Sequence, residues 1–225
     1  MTTRRVYAIA AGITWFGLAL GAMLTIFNVY PPVEVQPNSL GVNADGVAGL
    51  FGRVMDMLSY FTNLSNLIVA IVFTMLARNP DRQGVVWSAV RMDSLVMISI
   101  TGLIYAIVLA PDAQVEGLDI IVNSLKHYIV PVMTVVLWLL VGPRRQVTLA
   151  SVFIALVIPI AWAFYTLIRG EFIEGYPYGF LNVIEYGLPA VLLNIAGVAV
   201  LGIILGLLFW MVDRLVGRFV VRSSN

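Results

Sequence analysis

The chain contains no cysteine, one histidine (His127) and one lysine (Lys126). The absence of cysteine excludes disulfides, thiol catalysis and Cys-ligated zinc. A lone imidazole excludes any centre that needs two, such as an HExxH zinc site. Charge is scarce too: charged residues make up 11% of the 225 positions, and the formal net charge is +1. That leaves no basic footprint for nucleic acid. No metal or cofactor is expected. What the chain has in abundance is apolar sequence, 60% of all residues, with a mean hydropathy of +0.96.

Several apolar runs exceed the roughly 20 residues that carry a helix across a bilayer. They lack the alternation of a membrane β-barrel, whose segments run to about 10 residues. The expected fold is all-α: a polytopic membrane protein of six transmembrane helices, forming a single domain over 1–225. The expected spans are 6–30, 55–76, 86–110, 120–141, 148–168 and 188–212. Pro31-Pro32, Asn79-Pro80, Pro111-Asp112 and Gly142-Pro143 punctuate them. Arg4 and Arg5 followed by apolar residues mimic a signal peptide. The run that follows outlasts the ~7–15-residue core of such a peptide, so it reads as the first span.

Arginines set the expected orientation. Arg4, Arg5, Arg78, Arg82, Arg91, Arg144, Arg145, Arg214, Arg218 and Arg222 fall at one set of span ends. Only Arg53, Lys126 and Arg169 fall toward the other. The arginine-rich side is expected to be cytoplasmic, with both termini on it. The plasma membrane of a bacterium is the expected location. Most acids, from Glu34 and Asp45 to Glu174 and Glu185, gather on the opposite side, where the connections are also longer. The last of those connections is aromatic, with Phe172, Tyr176, Tyr178, Phe180 and Tyr186. An interfacial belt and a substrate-gripping loop are equally good readings of it. Gly17-x-x-x-Gly21 and Gly202-x-x-x-Gly206 suggest that the terminal helices are packed against neighbours.

Polar residues inside a span need a protein partner or a wet cavity. The second span opens on "SYFTNLSN", placing Ser59, Thr62, Asn63 and Asn66 on one helical face, with Asp56 continuing the stripe outward. The fourth span places Asn123 and His127 one turn apart, with Lys126 free to snorkel toward the nearer interface. Thr62 and His127 then lie at a similar depth, ~10 Å below the acid-rich side. Pro131, four residues after His127, is expected to kink the helix. Arg91 and Asp93 read as an interfacial pair, and Ser99, Thr101 and Thr134 as hydroxyls bonded to their own helix. Asn182 and Glu185 near the mouth read as solvated, and the Asn63-Leu64-Ser65 sequon as buried.

A threonine hydroxyl becomes nucleophilic when a base sits within hydrogen-bond reach, and a neutral imidazole serves best. Burial in low dielectric favours that neutral form. Asn63, Asn66 or Asn123 could donate to a developing oxyanion. The same residues suit a proton relay equally well.

Three stretches, "YFTNLSN", "KHYIVP" and "YPYGFLN", resemble in order the androgen-induced integral-membrane family. That family includes the androgen-dependent regulator of tissue factor pathway inhibitor and six-helix bacterial homologues. The resemblance implies an intramembrane threonine hydrolase acting on fatty acid esters of hydroxy fatty acids. By it, Thr62 takes the nucleophile role and His127 the base role. It assigns no role to Asn66, Lys126 or Tyr178, and no acid orienting His127 is evident. The leading expectation is hydrolysis of a lipid or acyl ester through an acyl-enzyme. Ser59, Asn63, Asn66, Asn123, Lys126 and Tyr178 are candidates for substrate or oxyanion contacts. The alternatives are a small-solute or proton-coupled transporter, which predicts polar residues reaching the other membrane side, and a non-catalytic membrane subunit.

Overall fold

A computed structural model describes residues 2–30, 37–144 and 146–222, with side chains through Gly217. Pro31, Pro32, Glu34 and Arg145, and the side chains of Arg218 and Arg222, lie outside the described residues. Six helical segments are long and apolar enough to cross a membrane: Thr3–Ile26, Phe61–Arg78, Val85–Asp112, Asp119–Leu140, Leu149–Ile173 and Leu188–Gly217. The described residues contain no strand, only an isolated bridge between Ser39 and Tyr176.

The first span is helix α1 (Thr3–Ile26). The second crossing differs from the expected helix over 55–76. It is α3 (Phe61–Arg78) alone, preceded by a separate helix α2 (Leu50–Ser59), because Tyr60 between them is extended at φ −73°, ψ 126°. The polar stripe therefore divides, with Asp56 and Ser59 on α2 and Thr62, Asn63 and Asn66 on α3. The third span is α4 (Val85–Ile104) closed by a wide π turn, Tyr105–Leu109. The fourth is α5 (Asp119–Ser124), a second π turn (Leu125–Ile129) and α6 (Val130–Leu140). The fifth joins α7 (Leu149–Ile154) to α8 (Val157–Ile173). After a short α9 (Val183–Tyr186), α10 (Leu188–Arg222) forms the sixth. Pro159 and Pro189 sit within the first three residues of a helix, where a missing N–H costs nothing, whereas Pro131 follows the π turn with no break in the helix.

Helix α4 is the centre of the bundle, packed by α3, α6, α7 and α10, while α1 packs along α3. Met92, Met97, Ile98 and Val69 are fully buried in the resulting core. The glycines act as expected. A Cβ at Gly17 would lie 3.2 Å from Leu125 Cβ, and one at Gly206 would lie 2.8 Å from Val152 Cγ1. The sixth span is nonetheless the least buried of the six, so only its glycine face is packed.

The arginine-rich side is fixed by three stacked pairs, with the Arg82, Arg144 and Arg214 guanidinium carbons 5.7, 5.6 and 5.7 Å from the Trp87, Trp138 and Trp210 rings. Arg91 and Asp93 do not pair with each other there. Both are buried, and Arg91 donates to Gln146 Oε1, which also accepts from Trp87 Nε1 at 3.1 Å.

On the opposite side, distant segments form a cap. Tyr176 N donates to Asn38 O at 2.9 Å and Leu40 N to Tyr176 O at 3.1 Å. Asp56 accepts from Arg169 Nη2 at 2.6 Å, Asn43 Nδ2 at 2.7 Å and Gly41 N at 3.1 Å. The aromatics of the last connection divide between the two expected readings. Phe172 and Tyr186 face outward, and Tyr176, Tyr178 and Phe180 turn inward.

Candidate active site

The break at Tyr60 places Thr62 in the first turn of α3. The leading N–H groups of a helix have no partner within it, and that end carries partial positive charge. Thr62 N instead donates to the Tyr178 hydroxyl at 3.3 Å. The Thr62 side chain stands between two groups: Oγ1 is 3.2 Å from His127 Nε2 and 3.3 Å from the Tyr178 hydroxyl. Thr62 and His127, which depth alone permits to meet, do meet.

His127 is held on both its ring edge and its face. Its Nδ1 lies 2.7 Å from Asn123 Oδ1, one turn earlier. A carbonyl oxygen there requires the proton on Nδ1, which leaves Nε2 as the acceptor facing Thr62. The Tyr105 ring stacks on the imidazole, with centroids 3.8 Å apart and planes 10° from parallel. Each ring stands on one of the two π turns, a feature concentrated at functional positions in helices. A hydroxyl, an imidazole acceptor and a carbonyl that fixes the tautomer make up the parts of a nucleophile–base–orienter triad.

The local backbone explains why His127 sits in a wide turn. A π turn pairs each N–H with the carbonyl five residues back, as Val130 N does with Leu125 O. Pro131 follows and has no N–H, so the Lys126 carbonyl needs another donor. Asn66 Nδ2 supplies it at 3.2 Å, and also donates to Thr62 O at 2.8 Å. One amide thus ties α3 to the wide turn beside Thr62 and His127.

Most of the expected oxyanion donors are engaged elsewhere. Both Asn66 contacts are to carbonyls. Asn63 Nδ2 donates to Met57 O at 2.7 Å, and its Oδ1 accepts from Lys126 Nζ at 2.7 Å. Asn123 orients His127. Ser59 donates to Met55 O at 2.7 Å and lies 2.9 Å from the Tyr165 hydroxyl, away from Thr62. Lys126 does not snorkel. It is buried, and a Cβ at Gly21 would lie 2.5 Å from its Nζ. Thr134 bonds its own helix at 2.7 Å as expected, whereas Thr101 pairs with Ser65 at 2.8 Å across helices. Asn182 caps α9 rather than being solvated.

The group that does face Thr62 is Tyr178, on the last connection. Burial pushes its hydroxyl above the ordinary tyrosine value, against the lowering effect of its hydrogen bonds to Thr62. It therefore remains a neutral O–H donor. Because its oxygen already accepts from Thr62 N, its proton is free for Thr62 Oγ1 or for a bound oxygen atom.

Thr62 and Tyr178 also form part of the wall of a cavity between α4, α8 and α10. The cavity holds about 860 Å³ of space between atoms, its open mouth included. Its walls are apolar except at Thr62, Thr101, Tyr105, Trp162 and Tyr178. Apart from Trp162, these polar residues stand at or near the triad, and the remaining wall suits hydrocarbon. Sequence reasoning missed Tyr105, because a stack across two helices leaves no spacing signal in either.

No family model matches the chain, and no curated protein or solved structure does.

Proposed function

We propose that the protein is an intramembrane hydrolase of lipid or fatty-acid esters. The observation that carries this reading is Thr62 Oγ1 at 3.2 Å from His127 Nε2, on the wall of an apolar cavity. Thr62 Oγ attacks the ester carbonyl carbon while its proton passes to His127 Nε2. The charge developing on the carbonyl oxygen is met by the Tyr178 O–H and the N-terminus of α3. The tetrahedral intermediate collapses, the C–O bond to the alcohol breaks, and His127 returns the proton to the departing alcohol. Water then gives a proton to His127 and attacks the acyl-threonine. The threonine leaves as its hydroxyl with that proton, and the fatty acid is released.

The resemblance of "YFTNLSN", "KHYIVP" and "YPYGFLN" to the androgen-induced integral-membrane family supports the same reading. On it, the chain is a bacterial relative of those threonine hydrolases, set in the plasma membrane with its arginine-rich side in the cytoplasm. The transporter alternative requires a polar path beyond the site. Between Thr62 and the Arg91–Gln146 cluster lie Val69, Val72, Phe73, Leu95 and Met97, all buried and apolar. That seal favours a closed-ended pocket.

A fluorophosphonate probe tests the assignment on the purified protein. The parent is expected to be labelled at Thr62, and both Thr62→Ala and His127→Gln to lose the label. Equal labelling of Thr62→Ala would remove Thr62 from the nucleophile role.

A further inference from the structure

We propose that Gly202 forms the floor of the cavity and sets the length of acyl chain the site accepts. The proposal rests on the hydrolase reading for the identity of the bound chain as part of an ester, but not for the shape of the space.

Three helices contribute to the lower cavity wall, and in each the lining residue nearest the arginine-rich side can be identified. They are Val96 on α4, Leu156 just before α8 and Gly202 on α10. These residues meet. A Cβ built at Gly202 would lie 3.5 Å from Ile100 Cδ1, 3.6 Å from Val96 Cγ1 and 3.7 Å from Leu156 Cδ2. Those are ordinary contact distances, so a single methyl would fit and anything larger would project into the space above. One turn further on, Gly206 is packed hard against Val152 and the cavity is closed. Gly202 is thus the last position before the seal, and its missing side chain leaves the space open.

The reactive hydroxyl lies at the other end. Ser65, one turn below Thr62, pairs with Thr101, which fixes their relative depth. Thr101 to Val96 is five residues of α4, and Thr62 to Ser65 three of α3. At 1.5 Å per residue, the floor lies roughly 12 Å below Thr62. An acyl chain whose carbonyl is at Thr62 would run down this shaft and end at Gly202. Chains that reach the floor gain burial with every methylene. Longer chains must bend or leave through the mouth.

The test compares hydrolysis of p-nitrophenyl butyrate, octanoate, laurate and palmitate by the purified protein. Gly202→Leu fills the floor and is expected to lower kcat/KM for laurate relative to butyrate by at least about tenfold. Leu156→Ala deepens the shaft and is expected to move the preference toward longer chains. Opposite shifts from two floor variants distinguish a length gauge from damage to folding. Displacement of a fluorescent fatty acid by unlabelled fatty acids of the same lengths, in a Thr62→Ala background, reads the shaft without turnover. If esters are hydrolysed but both variants keep the parent's length profile, the gauge is wrong. If no ester is hydrolysed yet displacement shifts in opposite directions with the two variants, the hydrolase reading fails and the gauge stands. An unchanged displacement profile overturns the gauge even where turnover is absent.

Discussion

At the scale of single residues, the site depends on which hydrogen bonds each side chain has left to give. Asn63 and Asn66 are spent on carbonyls and on Lys126, and the donor that stands against Thr62 Oγ1 is the Tyr178 hydroxyl. Tyr178→Phe is therefore expected to lower kcat by roughly 100-fold while changing KM little, as loss of one oxyanion donor does. The pH dependence follows from the raised hydroxyl. A tyrosine whose value is lifted above the ordinary 10.0 keeps its donor proton below that pH and loses it only as pH rises through the raised value. The ratio of parent to Tyr178→Phe activity should then stay constant across roughly pH 6 to 9. A ratio that collapses inside that range would mean that the Tyr178 hydroxyl ionises below the ordinary tyrosine value rather than above it. Thr62, His127 and Asn123 were legible in the sequence because hydroxyl, imidazole and amide are conspicuous in apolar helices. Their roles were only partly so, since Asn123 orients His127 and meets no oxyanion. Tyr105 was not legible, because an aromatic residue near a helix end looks the same whether it stacks on a ring or faces lipid.

At the scale of elements, two irregularities build the site: the break at Tyr60 and the wide turn ending at Pro131. The proline was visible and its kink expected, but periodicity assumes 3.6 residues per turn and cannot announce a π turn. The break at Tyr60 was hidden as well. No glycine or proline marks it, and tertiary partners hold it. Ser59 O accepts from Trp162 Nε1 at 2.9 Å, and Thr62 N donates to Tyr178. Pro131→Ala tests the wide turn. The new N–H can pair with the His127 carbonyl in ordinary α-helical fashion, which draws residues 125–129 toward regular helix. The His127 ring then rotates away from Thr62. The variant is expected to keep its helical circular dichroism and to label with fluorophosphonate about tenfold more slowly, since proton transfer to a displaced base is impaired. Unchanged labelling would show that Asn66 and the Tyr105 stack hold the turn without the proline.

At the scale of the whole molecule, hydropathy foretold the six crossings, since lipid demands long apolar runs wherever the chain passes. It could not foretell the cap, whose parts are more than a hundred residues apart and meet through polar contacts. The cap has an identifiable clasp. Asp56 at the α2 end meets Arg169 at the α8 end at 2.6 Å, and the two side chains are only 12% and 16% exposed. Asp56→Asn keeps an acceptor for Gly41 and Asn43 and removes the charge that holds Arg169. A partly buried, charge-assisted bond of this kind contributes about 1–3 kcal/mol. For a chain of this size each kcal/mol corresponds to about 2–4 °C. Asp56→Asn and Arg169→Gln are each expected to lower the melting temperature in detergent by about 5 °C. They are also expected to open the segment around residues 37–49 to limited proteolysis. Because both remove the same bond, the double variant should melt close to either single one. A double variant that loses the sum of the two would mean that each residue holds the cap through other partners. The cap would then be two independent loops rather than one clasped cover over Thr62.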